Sequence, residues 1–490
     1  MVSRTVILTF AASLASSVRA ESIQSWKQDN NAVFLTLDRG TAELEWISPS
    51  TYRFQRCPKL ACPSRPGLPG DVKFQVAEKP DRIEFRTDHL IVELFKNGLT
   101  VNARSVRGRR LLTELPSTGT AFARDCDPTE QLFGLGARPT EPLDLRGQRL
   151  SSAHALLIST AGYGQFFSVA TPYEFDLCRA DPKRLTAKPL AADRLEYFFY
   201  YGPTPKEILE EHRSIAGPLK SVSPLHVGVL KPQTLPAYAT RIPQLPLLET
   251  VRYLSHGAFS GMVTPAVALD AQVKALFPLV LGSGSNHLRA SLKSYLFTYL
   301  QEAKDRGLPM LRPLAMQYPS DPKGFNEIDQ FMIGDEILVA VTDKLYLPPG
   351  IWTGLRDWKT HQGRQTIPIA NTDAPEMFVK NGTILPLDTP GGAIELHYFP
   401  RLGAEFFLAE PGDDLPTQAH AAPSADYLRL EIESRVERQY VWMVHHVQRA
   451  VGVEPKSDFT YDALQRTLRI PVKAAQDSDV ILNVTLKEPL

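Results

Sequence analysis

An excess of either charge is the first thing this chain lacks. Its 54 Lys and Arg residues balance 54 Asp and Glu residues, leaving zero formal net charge over 490 residues. No basic face follows from that balance, which argues against a dedicated nucleic-acid binder. Long apolar runs are missing too. No stretch approaches the roughly 20 residues that a helical membrane span needs, so none is expected. Cysteine is scarce, with only Cys57, Cys62, Cys126 and Cys178. No second Cys or His pair follows at the spacing of a zinc site, so no metal or cofactor is called for. Internal repeats and low-complexity tracts are absent as well.

Proline is abundant, at 40 residues, and suggests strands, turns and edges rather than a helical bundle. The 43% hydrophobic content supplies a substantial core, and the length suits about three domains of ~150 residues. Arg4, the apolar run Val6–Leu14 and the small-residue site Val18-Arg19-Ala20 together read as a signal peptide over 1–20, implying a secreted or periplasmic protein. Disulfides are permitted in that setting. Cys57 and Cys62 flank a short loop containing Pro58 and are candidates for a local bridge; Cys126 and Cys178 are the other candidate pair.

Residues 21–218 read as short strands. Ala32–Leu37, Ala42–Ile47, Asp81–Thr87 and Leu90–Gly98 alternate or run apolar between turn residues, which predicts an antiparallel sandwich. Arg194–Gly202 is apolar on both faces and predicts a buried strand. A helix follows: Thr204 as N-cap, Pro205 in its first turn and Glu207 closing a capping box, with Gly217-Pro218 as the stop. His212 falls on its apolar stripe and reads as a core histidine. Over 219–328 the pattern is sparse: a strand at His226–Pro232, a helix at Leu245–Ser255, a longer helix capped by Asn286 and ended by Gly307, and a strand at Met310–Met316. Beyond Asp329 the chain returns to strands. Met377–Leu387 holds Asn381-Gly382 between two apolar runs, a hairpin signal. Pro411–Ser424 reads as a loop or boundary between a region at 329–410 and another at 411–490.

Six segments carry a resemblance: EQLFGLGARPTEPLDLRG (Glu130–Gly147), STAGYGQFF (Ser159–Phe167), YYGPTPKEIL (Tyr200–Leu209), RPLAMQYPSD (Arg312–Asp321), DQFMIGDEILVA (Asp329–Ala340) and YLPPGIW (Tyr346–Trp352). In this order they resemble glycoside hydrolase family 31, the α-glucosidase and α-xylosidase family. The resemblance implies an α+β, mainly β chain: an N-terminal galactose-mutarotase-like β-sandwich, a (β/α) barrel and a C-terminal β-sandwich region. Only about 100 residues separate Leu209 from Arg312, however, whereas a complete barrel takes ~250. A truncated barrel remnant is therefore expected at 219–328.

Retaining glycosidases hold two carboxyl groups ~5–5.5 Å apart, one as nucleophile and one as acid/base. The family carries them in a Trp-x-Asp-Met-Asn-Glu type motif and a Ser-Gly-Asp type motif, and neither occurs here. Gly257-Ala258-Phe259-Ser260 is present, but the Arg-x-His element that follows it in the family is replaced by Gly261-Met262-Val263-Thr264. Glu249, Asp270, Glu302 and Asp305 are the carboxylates of the intervening region, and Glu302 and Asp305 read as the solvated face of a helix. No catalytic residue is assigned. The resemblance places a sugar-binding role on Asp144 and Arg146, whose neighbouring charges suit vicinal hydroxyls. The expected partner is an α-linked oligosaccharide, and oligomerisation is compatible with the exposed flanks of a shortened barrel. The reading is a catalytically deficient relative, with an active α-glycosidase or a β-sandwich interaction module as alternatives. His445-His446 on a strand would point to opposite faces, so they are not a metal pair. Asn381-Gly-Thr and Asn483-Val-Thr match glycosylation acceptors.

Overall fold

The computed structural model describes residues 21–59, 61–63, 71–136, 142–216, 258–259, 291–369, 376–447 and 450–487. The expected signal segment at 1–20, the strand at His226–Pro232, the helix at Leu245–Ser255 and Asn286 lie outside these residues. The described chain is mostly β, in several packed sheets.

The N-terminal region is built on an eight-stranded antiparallel sheet. Its order is Ile23–Asp29, Ala32–Leu37, Thr41–Ser48, Thr51–Cys57, Leu195–Tyr201, Tyr163–Phe167, Leu156–Ser159 and Leu132–Gly134. A five-stranded meander from Gln75–Glu78 to Arg110–Thr113 and a four-stranded sheet holding Phe122–Asp125 and Tyr173–Asp181 complete it. One core joins all three, with Leu44, Phe54, Phe85, Val101, Phe122 and Phe175 among its members. The strand Leu195–Tyr201 explains why its sequence is aromatic throughout. Leu195, Tyr197 and Phe199 enter that sandwich core, while Phe198 and Tyr200 face the other way. On this second face they meet Ile208 and Leu209 of helix α1, Pro205–Ala216, together with Phe133, Phe259 and Met316. Gly164, in the strand beside it, is the residue that lets α1 approach, because a Cβ there would strike Ile208.

Helix α1 starts as its sequence predicts. The Thr204 backbone N–H and hydroxyl both donate to Glu207 Oε2, at 2.9 and 2.8 Å, a cap contributing about 1 kcal/mol. His212 is a core histidine: it is buried, meets the Tyr200 hydroxyl at 3.1 Å and is pushed down to about 4 by burial. Helix α2, Lys293–Arg306, buries Tyr295, Leu296, Tyr299, Leu300 and Ala303 and ends on Gly307, whose left-handed backbone (φ 74°) returns its N–H to the Ala303 carbonyl.

The stretch Met310–Met316 departs from the expected strand. Only Leu311–Arg312 is extended, and Pro313 then precedes a short helix α3, Leu314–Gln317. Proline has no N–H for a ladder, so pairing stops there. Leu311–Arg312 pairs with Gln330–Ile333, so one sheet crosses the 328/329 line. That six-stranded sheet also contains Ile337–Ala340, Met377–Lys380, Ile351–Gly354 and Thr360–Gln362.

Two further corrections concern the C-terminal region. Asn381-Gly382 does not close a hairpin. Met377–Lys380 belongs to the six-stranded sheet, while Ile384–Asp388 pairs with Ile394–Tyr398 in another. The turn hands the chain between sheets, held by Asn381 N–H to the Ile351 carbonyl and Gly382 N–H to the Phe399 carbonyl. The supposed loop Pro411–Ser424 contains a seven-residue strand, Thr417–Pro423, lying between Ala404–Leu408 and Tyr427–Ser434. Its inward residues include Ala419 and Ala421, too small to show as an apolar alternation in sequence. These two C-terminal sheets, each five-stranded, share one core with helix α2 and the six-stranded sheet. The 410/411 line therefore runs through a sheet.

Candidate functional site

The two resemblance segments at 312–321 and 329–340 converge on helix α2 and build an ionic cluster. Arg312, wholly buried at 0% side-chain exposure, bonds Glu302 of α2 through Nη2 and Asp335 through Nη1. Its Nε donates to the Pro309 carbonyl at 2.9 Å, and its guanidinium lies over the Tyr299 ring. Lys206 Nζ of α1 reaches Asp335 Oδ1 at 2.7 Å. One arginine therefore binds three elements together. Glu302 is correspondingly not a solvated helix residue. It also pairs with Arg306, one turn on, at 2.8 Å. Asp305, at 63% exposed, is on the solvated face as expected.

Beside Arg312 lies a second carboxyl, Glu336. It is buried, and both Tyr295 and Tyr299 donate their hydroxyls to its Oε2, at 2.8 and 2.6 Å. Gly334 makes room for this arrangement, since its φ is +61° and a Cβ would meet the Tyr299 ring. Burial, and then the adjacent Asp335 charge, push Glu336 up to about 7. Asp335 behaves in the opposite way. Burial would raise it, but Arg312 and Lys206 hold it below the usual carboxylate range. Arg312 remains charged, because Asp335 and Glu302 outweigh its own burial.

Tyr299, Glu302, Asp335 and Glu336 line one wall of an open cleft of about 850 Å³ between α2 and the segment 405–416. The other wall carries Phe407 and Leu415, 47% and 56% exposed, with Asp413 and Asp414. Two carboxyls of opposed charge state beside a cleft is the pattern an acid and a base adopt. In this cluster each is tied up: Glu336 by two hydroxyls, Asp335 by two cations.

The linkage is directional. Glu336 has a folded value above that of the unfolded chain, so the native state binds more protons and its contribution is full below about 4.5. That contribution is lost as pH rises through about 7. Glu114 of the N-terminal sandwich, also pushed up to about 7 by burial, falls in the same window. We expect Glu336→Gln to flatten the fall in stability between pH 4.5 and 7.5, measured as denaturation midpoints across pH. An unchanged slope would contradict it.

Asp144 and Arg146 sit together in the turn they were expected to occupy. Asp144 Oδ1 accepts the backbone N–H of Leu132 and of Arg146, both at 3.0 Å. Arg146 donates to the Asp127 carbonyl at 2.5 Å. Beneath them Arg124 and Glu130 form a buried bidentate pair at 2.8 and 2.9 Å. Cys57–Cys62 and Cys126–Cys178 are each joined as disulfides. Glu249 and Asp270 lie outside the described residues. Asn381 is buried and accepts from the Thr353 hydroxyl at 2.7 Å, while the Asn483 side chain is on an outer sheet face and accepts from Tyr427. Sequence reasoning missed the cluster because Arg312 and Asp335 lie 23 positions apart.

Residues 307–385 match the family model of the glycosyl hydrolase family 31 C-terminal domain. Among curated proteins, the chain is 32% identical to human neutral alpha-glucosidase AB over 154 residues, 28% of this chain and 16% of that protein. It is 27% identical to alpha-glucosidase 2 of Bacillus thermoamyloliquefaciens over 189 residues, 36% of this chain and 22% of that protein. The matched stretches thus span less than a quarter of either relative. Among solved structures, the glycoside hydrolase family 31 dextranase of Flavobacterium johnsoniae, complexed with isomaltotriose, superposes with a TM-score of 0.75 at 13% identity, covering 95% of this chain and 100% of that one. The family 31 α-xylosidase of Xanthomonas citri gives 0.68 at 10% identity, covering 93% and 100%. At such identities the likeness concerns the fold.

Proposed function

Because this chain belongs to glycoside hydrolase family 31, we propose that it is an exported, catalytically deficient relative of the α-glycosidases that binds α-linked oligosaccharide. The observation that carries the reading is the sequence between Leu209 and Arg312. It is about 100 residues long, well short of the ~250 of a complete barrel, and lacks both aspartate motifs and the Arg-x-His element. Three carboxyls lining the α2 cleft support it: Glu336 is held by two tyrosine hydroxyls, Asp335 by Arg312 and Lys206, and Glu302 by Arg306 and Arg312. In this reading 219–328 is a shortened barrel and the two β-rich regions are its retained supports.

A second reading rests on Glu336 and Asp335. Their opposed charge states beside the cleft would serve an active hydrolase if their partners moved aside. Asp144 and Arg146 are the sugar contacts of the main proposal. A glycan array of α-linked gluco- and xylo-oligosaccharides tests it. Saturable binding that falls at least tenfold in Asp144→Asn is expected. Binding to no sugar would overturn the proposal and favour a protein-interaction role. For export, N-terminal sequencing of protein recovered outside the cell should begin at Glu21; retention in the cytosol with Met1 intact would sink that part.

A further inference from the structure

Four side chains at one end of a C-terminal sheet form an unbroken hydrogen-bonded line. Glu395 Oε2 is 3.2 Å from His397 Nε2, His397 Nδ1 is 2.9 Å from His445 Nε2, and His445 Nδ1 is 3.3 Å from Thr467 Oγ1. The Thr467 hydroxyl also reaches the Gln465 carbonyl at 3.2 Å. Register brings them together. Glu395 and His397 are two apart on one strand and share a face, and the parallel strand Arg438–Val444 ends with His445 N–H on the Tyr398 carbonyl. His397, His445 and Thr467 are buried, and the rings of Trp358 and Phe399 stack on His445, each 4.6 Å away.

The line has two complete proton orders. With His397 neutral, its Nε2–H donates to Glu395, His445 Nε2–H donates to His397 Nδ1, and the Thr467 hydroxyl donates to His445 Nδ1. With one proton added at His397 Nδ1, that nitrogen donates to His445 Nε2. His445 then carries its proton on Nδ1 and donates to Thr467 Oγ1, whose hydroxyl turns to the Gln465 carbonyl. No buried polar atom is left unpaired in either state, which is the condition for a polar network to be tolerated in a core.

We propose that Glu395, His397, His445 and Thr467 form a one-proton tautomer relay, in which His397 takes up a single proton and His445 responds by reversing its donor nitrogen while staying neutral. A second proton cannot be accommodated. Charged His445 would set an N–H against the His397 N–H with no acceptor between them. The surrounding charged and titratable groups reinforce that limit. His446 faces Thr353 Oγ1 at 3.2 Å, Arg466 donates to the His446 carbonyl at 3.4 Å, and Arg469 is near Glu395. Burial, then His397 and His446, hold His445 well below the usual histidine range. The native state then binds fewer protons there than the unfolded chain, so this contribution is present above about 6.5 and is lost as pH falls below it.

The test is nitrogen and carbon NMR of the imidazole rings in the full chain labelled at histidine, through a pH titration. As His397 gains its proton, His445 should change from Nε2–H to Nδ1–H without charging. His445 keeping one tautomer throughout, or charging together with His397, would overturn the relay.

Discussion

Purified protein should release no aglycone from aryl α-glucosides or aryl α-xylosides above the blank rate. Glycosidases accelerate hydrolysis by many orders of magnitude, at least ~10⁶-fold, so the difference between an active and an inactive chain is not subtle. The chemistry needs one carboxylate free to attack and one carboxyl free to protonate, held ~5–5.5 Å apart. Three of the carboxyls that line the cleft, Glu336, Asp335 and Glu302, each fail part of that requirement. Glu336 is buried and presents the oxygen Oε2 to two tyrosine hydroxyls. Asp335 is ionised but faces Arg312 and Lys206, and Glu302 is paired with Arg306 and Arg312. Turnover that Glu336→Gln or Asp335→Asn abolishes would refute the deficient reading and establish the second one. Turnover abolished by any other single Asp or Glu substitution would refute both.

The second large effect is on stability. Arg312→Met should lower unfolding free energy by about 3 kcal/mol, the low end of what breaking a buried ion pair costs. The low end applies because Asp335 is 41% exposed and water can take over part of its charge. Glu302 and Asp335 would then face each other without the cation between them, and the Pro309 carbonyl would lose its Nε donor. Arg312→Lys should recover part of the loss but not the bidentate geometry. Urea denaturation followed by fluorescence checks this, and a loss below 1 kcal/mol would show that the cluster is not the joint between α1, α2 and the six-stranded sheet.

Local chemistry was legible in this sequence wherever a few adjacent residues decide the outcome. Thr204, Pro205 and Glu207 announce α1, Gly307 announces the end of α2, and the aromatic run at 194–202 announces a strand buried on both sides. The mainly β character and the family segments were readable for the same reason. Legibility failed where the outcome depends on partners far along the chain. Asn381-Gly382 has the chemistry of a tight turn, yet the sheets that receive its flanks decide whether those flanks pair. Thr417–Pro423 is a strand because its two neighbours supply the ladder, while its own alanines give a weak signal. Glu302 looks like a surface residue until Arg312, ten positions later, folds back onto it. The pairing of His397 with His445 was equally invisible, because viewing His445-His446 as adjacent strand residues left out the parallel neighbour.

That parallel neighbour has a kinetic consequence. Ile394–Tyr398 lies beside Arg438–Val444 with three strands of the other sheet, Ala404–Leu408, Thr417–Pro423 and Tyr427–Ser434, between them in sequence. Neither strand can dock until the intervening excursion has been closed, which makes their association a late and entropically expensive event. The C-terminal half should therefore melt and refold as a single cooperative unit, and a chain severed near position 410 would leave two fragments unable to refold separately.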